Sequence, residues 1–593
     1  MANRTLSERP EKVLVLGDGV SAFLAVVRSL GRQGIEVHAA WCQPDSPALS
    51  SRYVTRFHHL PFYDAQSDWA ERFAALLERE RFDLVLPTNE QSMRALHSRR
   101  RDLESRARLY LVDNHTFEIV FDKLKCGELA GDLGMRVPKS RVVATRDELD
   151  EAAAQLGYPL VLKPISSYDP KLPLQRRDVV KAYGPEEHER RGTKLLAAGP
   201  ILVQENFIGR GVGVELLVDR GEVLLAFQHQ RVHQPLRGGA SSYRKSVPLS
   251  LDLLEASKKF VGSLKYSGVI MIEFLVDDSK DWRFVEANAR FWGSLPLAVA
   301  AGADFPYALY RYWVHGERNF PQSYREGIYC RNALSDGLWL VDNLRADRSD
   351  PTLATVSPLS LLGEAKHILT GRERFDTLTL DDPRPAAAEI AKYARRLARR
   401  AGNRLREAYV SLPGVRARHA ARTRAALSRA NRVIFLCWGN ICRSPFAASY
   451  ARRSWPPHIE VLSRGLHHQQ SRISPSEAIE AARSFDVALD EHRSSLLSEQ
   501  EVAAAEMIIC FDEIIRRELL ERHPAARAKA FRFGMLRSQG DVTVADPFGG
   551  SLQTFQDAYS QIKTALDESG LVFEDTVPNA VSAPEVVVRE AAP

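Results

Sequence analysis

One stretch limits what this chain can fold into more than any other: RVIFLCWGNICRSPFAASYARR, residues 432 to 453. An apolar run with strand character ends at Cys437, and an alanine-containing segment after Pro445 has helix character. A strand that stops at a polar turn and resumes as a helix is the unit of a parallel α/β layer. Such a turn points backbone N–H groups at whatever sits in it. Gly439 lets the loop turn tightly, and Asn440 tolerates left-handed backbone geometry and can brace the loop. Arg443 adds a fixed charge and a planar fork suited to phosphate oxygens. Ser444 can donate to a sulfur anion. An isolated thiol, with a pKa of ~8.5, is mostly protonated in the cytosol. These surroundings favour its anion, a nucleophile in a nest of donors aimed at phosphorus. Trp438 and Ile441 complete the loop with Cys442, and the Trp438 ring suggests an aromatic mouth suited to aryl phosphate. Cys442 has two readings: a reversible disulfide partner for Cys437 under oxidation, or a small packed thiol. The reaction also needs an acid for the leaving oxygen. VTVADPFGGSLQTF supplies Asp546, held extended by Pro547.

A chain of 593 residues is too long for one hydrophobic core, so two to four domains are expected. With 45% hydrophobic and 26% charged residues its composition is that of an ordinary globular protein. No charge-free apolar run reaches about 18 residues; the best candidate, LPLAVAAGADFPYALYRYW, is broken by Gly302, Asp304 and Pro306. The polar start, MANRTLSERPEK, does not read as a signal peptide. Six cysteines without repeated close pairs argue for a reducing compartment, and a cytoplasmic location is expected. The net charge of +6 is concentrated: residues 384–432 hold thirteen Arg and one Lys against Glu389 and Glu407. This Arg/Ala block reads first as a solvated helical linker and second as a basic face on an anionic membrane. Nucleic-acid binding comes last, since no reader motif accompanies the charge.

Alternating strand and helix patterns predict an α/β multidomain chain. KVLVLG, IEVHAAW, FDLVLPT and RLYLV read as strands of a Rossmann-like layer over residues 1–115. Residues 116–315 read as α+β, with a hairpin in SGVIMIEFLVDDSKDWRFVEANARF. Residues 316–385 carry mixed signals and form an extension, 386–430 a basic helical linker, and 431–570 a doubly wound parallel α/β domain. From 571 to 593 periodicity is lost, which predicts a disordered tail.

The hairpin holds a second constellation. A turn near Asp278 to Lys280 places Glu273 opposite Glu286, with a one-residue slip as the alternative. Like charges facing each other destabilise a sheet, and a divalent cation between them removes the objection; oxygen donors suit Mg²⁺ (or Mn²⁺) shared with phosphates. Period-two geometry puts Glu286, Asn288 and Arg290 on one face and sends Val285, Ala287 and Ala289 into a core. Lys163, ending YPLVLKP, and Lys123, in FDKLKCGELA, are candidates for triphosphate. VQENFIG offers a strand for adenine with Glu205 on the ribose. Arg231, Arg237 and GGASS at 238–242 are candidates for a carboxylate.

Two resemblances follow. VIFLCWGNICRSPFAA with DPFGGSLQTFQDAYSQI resembles the low-molecular-weight protein tyrosine phosphatase family over about 432–569; SRG at 463–465 and EHRSSLL at 491–497 fit its order. The resemblance implies that Cys437 forms a phosphocysteine without any cofactor, Arg443 holds phosphate and Asp546 acts as acid and then base, with Phe548 as the aromatic after the proline. The hairpin set resembles the ATP-grasp superfamily, of the carboxylate–amine ligase kind related to carbamoyl-phosphate synthase, over about 1–315. It implies ATP held by Lys123, Lys163 and Glu205, Mg²⁺ on Glu273, Glu286 and Asn288, and Arg290 on the transferring phosphoryl group. Residues 1–115 would then be the layer that precedes an ATP-grasp domain. The stretch ISSYDPKLPLQRR departs from that family by lacking a glycine-rich lid.

The expected function is therefore bifunctional: a ligase working through an acyl phosphate on small carboxylate and amine substrates, joined to a phosphomonoester hydrolase. The alternative is a regulatory tyrosine phosphatase of polysaccharide export, acting on a phosphotyrosine protein, with the ATP-binding half as a sensor. GDGVSA is a weak dinucleotide fingerprint, since the second strand ends in AAWCQ without an acidic residue. His467 and His468 lack metal-ligand spacing.

Overall fold

The computed structural model describes residues 10–63, 68–165, 168–169, 172–176, 179–196, 199–236, 241–348, 353, 355–467, 470–537 and 542–571. Arg237, Gly238 to Ala240, His468 and the tail from 572 lie outside them. Of the glycine-free lid, a short antiparallel pair is described, Tyr168–Asp169 with Leu172–Arg176. The chain divides into two compact units, Met1–Tyr393 and Ala394–Pro593.

The first unit opens with a parallel sheet of β1 (Lys12–Leu16), β2 (Glu36–Ala40), β3 (Val54–His58) and β4 (Leu84–Pro87), in the order β3-β2-β1-β4. Helix α1 (Val20–Arg32) connects β1 to β2. The expected strand RLYLV makes only an isolated bridge, Leu109 to Val85. Helix α2 (Lys123–Asp132) leads into a smaller sheet of β5 (Ser140–Val143), β6 (Leu160–Pro164), β7 (Val180–Ala182) and β8 (Ile201–Glu205), in the order β5-β8-β6-β7. A larger sheet follows, built from β9 (Arg210–Asp219), β10 (Glu222–His233), β11 (Tyr243–Ser246), β12 (Gly268–Val276), β13 (Trp282–Asn288), β14 (Tyr329–Arg331) and β15 (Glu373–Phe375). Its order is β13-β12-β9-β10-β11-β14-β15.

The extension that sequence patterns left unassigned contributes β14, β15 and two helices, α3 (Ala333–Arg345) and α4 (Pro358–Leu369). Its last segment is strapped to α1. The buried guanidinium of Arg28 donates to Asp382 Oδ2 at 2.9 Å and to the carbonyls of Asp376, Thr377 and Asp382. Arg32 donates to both Asp381 oxygens.

Helix α5 (Arg384–Ser411) and helix α6 (Pro413–Leu427) make up the basic stretch, and Pro413 starts the second at a position where its missing N–H costs nothing. Within the second unit the stretch is partly packed: Arg406 donates to Glu513 at 2.8 Å and Arg517 donates to Asn403. The sheet there, β16 (Arg432–Cys437), β17 (Glu460–Gly465), β18 (Met507–Cys510) and β19 (Ala530–Arg532), is parallel in the order β17-β16-β18-β19. Around it lie α7 (Arg443–Ser454), α8 (Glu513–Arg522) and α9 (Leu552–Asp567). Among the described residues no helix is long and apolar enough to cross a membrane.

Candidate active sites

The first site lies in the first unit. Alternation along β6 sends Leu160 and Leu162 into a core with Val143, Leu149 and Val203, which turns Lys163 to the other face. The Lys123 N–H donates to the carbonyl of Ile165, fixing the start of α2 beside the end of β6. A cavity of about 330 Å³ opens there, bringing together Lys123, Cys126, Lys163 and Gln204 with Glu286, Asn288 and Arg290.

Glu273 stands directly opposite Glu286, and the next pair is Phe274 with Phe284. Val285 is therefore the extra residue of a β-bulge. That corrects the expectation that Val285 faces the core: it lines the cavity, while Phe284, Ala287 and Ala289 are buried. The register shifts by one residue at the bulge, between the Glu273–Glu286 and Phe274–Phe284 pairs. Asn288 Nδ2 donates to Glu286 Oε1 at 3.0 Å, and Arg290 Nη2 donates to Asn288 Oδ1 at 2.9 Å. Burial pushes the Glu286 carboxyl up, but Lys123, the Asn288 bond, Lys163 and Arg290 outweigh it and hold the group below its ordinary range. Burial lowers the Lys163 ammonium to about 8, with Lys123 adding and Glu286 opposing. Cys126 is pushed up to about 12 by burial and is a silent thiol in the wall.

Two expected residues stand apart from this cavity. Glu205 Oε1 accepts from the Lys139 N–H at 3.0 Å, and Gln204, its neighbour, faces the cavity instead. Glu273 Oε2 accepts from Arg231 Nη2 at 2.7 Å and does not line the cavity, although it lies within electrostatic reach of Lys163. Ser241 and Ser242 of GGASS donate to the His233 carbonyl and to Asp336. Sequence reasoning missed Glu215. It is fully buried on β9, bonded to His229 Nδ1 at 2.5 Å and accepting from Ser294 Oγ at 3.2 Å, with its second oxygen lacking a partner among the described residues. A carboxylate in the middle of GVGVELLVD was the available signal.

No group of three or more His, Cys, Asp or Glu side chains gathers for a metal among the described residues. The donors on hand, Glu286 held ionised, the Asn288 amide and Glu273 across the strand, are hard oxygens too few to enclose an ion. That fits Mg²⁺ shared with substrate phosphates rather than a closed protein site.

The second site lies in the second unit. β16 is paired on both sides and ends with Cys437 opposite Gly465. Asn440 adopts φ 52°, and its peptide N–H donates to Cys437 Sγ at 3.1 Å. Its Oδ1 accepts from the Ser495 N–H at 2.8 Å, its carbonyl bonds His492 Nε2 at 2.7 Å, and its Nδ2 donates to Ser444 Oγ at 2.9 Å. Ser444 Oγ lies 3.1 Å from Cys437 Sγ. Gly465 is obligatory for this packing: a Cβ there would sit 2.9 Å from Asn440 Cβ and 3.0 Å from the Trp438 carbonyl.

Arg443 is buried under the loop. Its Nη1 donates to Asp512 Oδ2 at 3.0 Å and to the Val544 carbonyl at 2.9 Å, and its Nη2 pairs with Asp546 Oδ2 at 2.9 Å. Its buried Nε–H has no partner among the described residues, a donor left over for an oxyanion. Asp512, unforeseen from sequence, also accepts from the Ile515 N–H and so caps α8. Arg472, likewise unforeseen, donates to the Gly439 carbonyl at 2.7 Å. Cys442 is a free thiol, as is Cys437, and burial, helped by Cys437 and Asp546, pushes the Cys442 thiol up. Trp438, next to Cys437, and Phe548, two residues after Asp546, are exposed, and the Arg522 guanidinium lies 5.8 Å from the Trp438 ring.

Residues 432–572 match the family described as low molecular weight phosphotyrosine protein phosphatase. Residues 198–333 match the family described as ATP-grasp in the biosynthetic pathway with Ter operon. A protein of Ralstonia nicotianae named "Probable low molecular weight protein-tyrosine-phosphatase EpsP" is 30% identical over 135 residues, covering 23% of this chain and 90% of that one. A protein-arginine-phosphatase of Geobacillus stearothermophilus is 31% identical over 142 residues, covering 23% and 91%. A formate-dependent phosphoribosylglycinamide formyltransferase of Methanococcus maripaludis is 25% identical over 318 residues, covering 51% and 77%. The chain thus fuses an ATP-grasp ligase-like region to a second unit that, over residues 432–572, belongs to the low molecular weight phosphotyrosine protein phosphatase family.

Proposed function

We propose that the second unit hydrolyses aryl phosphate esters through Cys437, and that the first activates a small carboxylate with ATP and passes it to an amine. The observation that carries the first half is the Asn440 N–H and Ser444 Oγ converging on Cys437 Sγ above a buried Arg443 with a spare donor. Sγ attacks phosphorus, the S–P bond forms and the P–O bond breaks, and Asp546 gives its proton to the leaving oxygen. Water then attacks phosphorus, Asp546 takes the proton, and phosphate leaves the sulfur. Arg443, the loop N–H groups and the Nε–H hold the equatorial oxygens. Trp438 and Phe548 would flank an aromatic ring, which favours phosphotyrosine over a compact phosphate. The arginine-phosphatase relative makes phosphoarginine the comparison substrate.

In the first unit Lys123 and Lys163 would hold the nucleotide phosphates, Glu286, Asn288 and Glu273 would hold Mg²⁺, which neutralises phosphate charge when bound, and Arg290 would face the transferring phosphoryl group. A carboxylate oxygen attacks the γ-phosphorus and ADP leaves; an amine then attacks the acyl carbon and phosphate leaves. The formyltransferase relative is named for formate, itself a carboxylate, which supports this substrate class. A cytoplasmic site of action suits an ATP-dependent enzyme whose six cysteines are all free. The basic stretch is a linker in this reading.

The test pairs Cys437→Ser with Glu286→Ala. The first should abolish hydrolysis of p-nitrophenyl phosphate and spare ADP formation with a panel of carboxylates and amines; the second should do the reverse. Chelator-resistant hydrolysis that survives Cys437→Ser would end the phosphatase mechanism. ATP binding without ADP release on any substrate would leave the first unit a sensor.

A further inference from the structure

Helices α3 and α4 are turned inside out. On α3 the buried positions are Asp336, Trp339 and Asn343. Asp336 accepts from Ser242 Oγ at 2.7 Å and pairs with His233 Nδ1 at 2.9 Å and with Arg331, and the Trp339 ring stacks on His233 at 3.6 Å. On α4 the inward residues are Glu364, which pairs with His233 Nε2 at 2.8 Å and Arg331 at 2.9 Å, and His367, bonded to the Tyr243 hydroxyl. Both helices therefore dock through one polar centre on β10, β11 and β14.

Leu334 and Leu361 are half-buried, but the other leucines of both helices face outward. Leu338, Leu340, Val341 and Leu344 of α3 are exposed. So are Leu359 at 81%, Leu362 at 74%, Ile368, and Leu369 at 86% on α4, which buries no residue at all. Leu359, Leu362 and Leu369 share one side of α4, and this stripe alone leaves on the order of 450 Å² of apolar surface in water, the size of the largest patch on a typical monomer, which is often functional. A lone exposed leucine needs no explanation; two neighbouring helices with polar faces in and apolar faces out do.

The exposed charges of the same segment are mostly basic, which favours an anionic occupant. Asp336, Glu364 and Glu373 are turned inward onto His233 and Arg331. The exposed charged residues described between 333 and 374 are then Arg345, Arg348, Lys366, Arg372 and Arg374 against Asp342 and Asp347. Two copies of this chain joined here would press basic rims together around a shared apolar centre. An anionic bilayer neutralises that rim and receives the leucines at the headgroup–acyl boundary. We propose that α3 and α4 form a membrane-docking face for anionic lipid. The ATP-binding unit would then work at a lipid surface, although among the described residues no helix is long and apolar enough to cross it.

The test is co-sedimentation of the full-length protein with vesicles of phosphatidylcholine alone or mixed with phosphatidylglycerol, at low and high salt. The parent should pellet with the mixed vesicles and more weakly in high salt. Two separate double variants, Leu362→Asp/Leu369→Asp and Leu338→Asp/Leu344→Asp, should each lower partitioning at least about tenfold. Unchanged ATP binding checks that each is folded. Lys366→Glu/Arg372→Glu should remove the preference for anionic lipid. The proposal fails if the parent stays in the supernatant. It fails if ATP-binding variants pellet as the parent does, or if Ile390→Asp/Leu397→Asp on α5 abolishes binding while the α4 variant does not. It also fails if the parent is a lipid-indifferent dimer that the leucine variants dissociate.

Discussion

ATP affinity should fall as pH rises through about 8, because of Lys163. In the free cavity burial holds its ammonium near 8 instead of its usual value of 10.5. The protonated form is the one that binds phosphate, and bound phosphates would raise the pKa again. From about pH 7 to about pH 9 the charged fraction of free protein falls from about nine-tenths to about one-tenth, so affinity should drop about tenfold, or about 1.4 kcal/mol. Near pH 8 binding should take up about half a proton. Calorimetric titration with ATP and Mg²⁺ in buffers of different ionisation enthalpy measures both quantities. The stability corollary has a definite sign. Because the folded pKa lies below the unfolded one, the unfolded chain binds more protons between about pH 8 and 10.5, so this residue's contribution to stability rises with pH across that window. At neutral pH the charged, half-buried lysine costs up to about 3 kcal/mol. Lys163→Met should therefore delay thermal unfolding of the nucleotide-free first unit while removing ATP binding and its pH slope. An affinity flat between pH 7 and 9, or the same slope in Lys163→Met, would refute the reasoning.

Other changes follow from particular contacts. Arg28→Ala leaves buried Asp382 short of its ion-pair partner and should destabilise the first unit by about 3–5 kcal/mol, read by chemical denaturation. Gly465→Ala forces a methyl against the phosphate loop; it should cost about 1–3 kcal/mol and depress p-nitrophenyl phosphate turnover. Asp546→Asn should lower kcat by about 10²–10⁴ with little change in KM, and the loss should shrink for a substrate whose leaving group needs no proton. Arg472→Ala should release the Gly439 carbonyl and raise KM for aryl phosphate, and Arg472→Lys should restore part of it.

Much of both sites was legible because their chemistry is dense in sequence. Cys437, Asn440, Arg443 and Ser444 fall within eight positions, and one local turn brings them together. The pairing of Glu273 with Glu286 could be deduced because alternation and a short turn fix a hairpin register. The bulge at Val285 could not, since period-two alternation does not mark where a strand takes an extra residue. Asp512 is 69 positions from Arg443, and Asp382 is 354 from Arg28; nothing local marks either partner. Glu205 shows the opposite failure. The sequence VQENFIG suggests a strand for adenine with Glu205 on the ribose, but period-two geometry turns Glu205 to the Lys139 backbone and its neutral neighbour Gln204 to the cavity.

The extension defeated pattern reading for a deeper reason. Periodicity assumes that an amphipathic helix hides its apolar side. In α3 and α4 the stripe to hide is Asp336, Trp339 and Asn343, then Glu364 and His367, because the sheet offers His233, Arg331 and Tyr243 and the Val356 backbone closes on Asn343. Seen without the sheet, Leu338, Val341, Leu359 and Leu362 look like a core, and the acidic residues between them look like solvent positions. Only the partners on β10, β11 and β14 reverse that reading. A buried polar centre that sets Asp336, Glu364 and Glu373 against Arg331 and His233 is costly to assemble and rarely improves on an apolar one. Its retention here makes sense if the leucines have somewhere else to go.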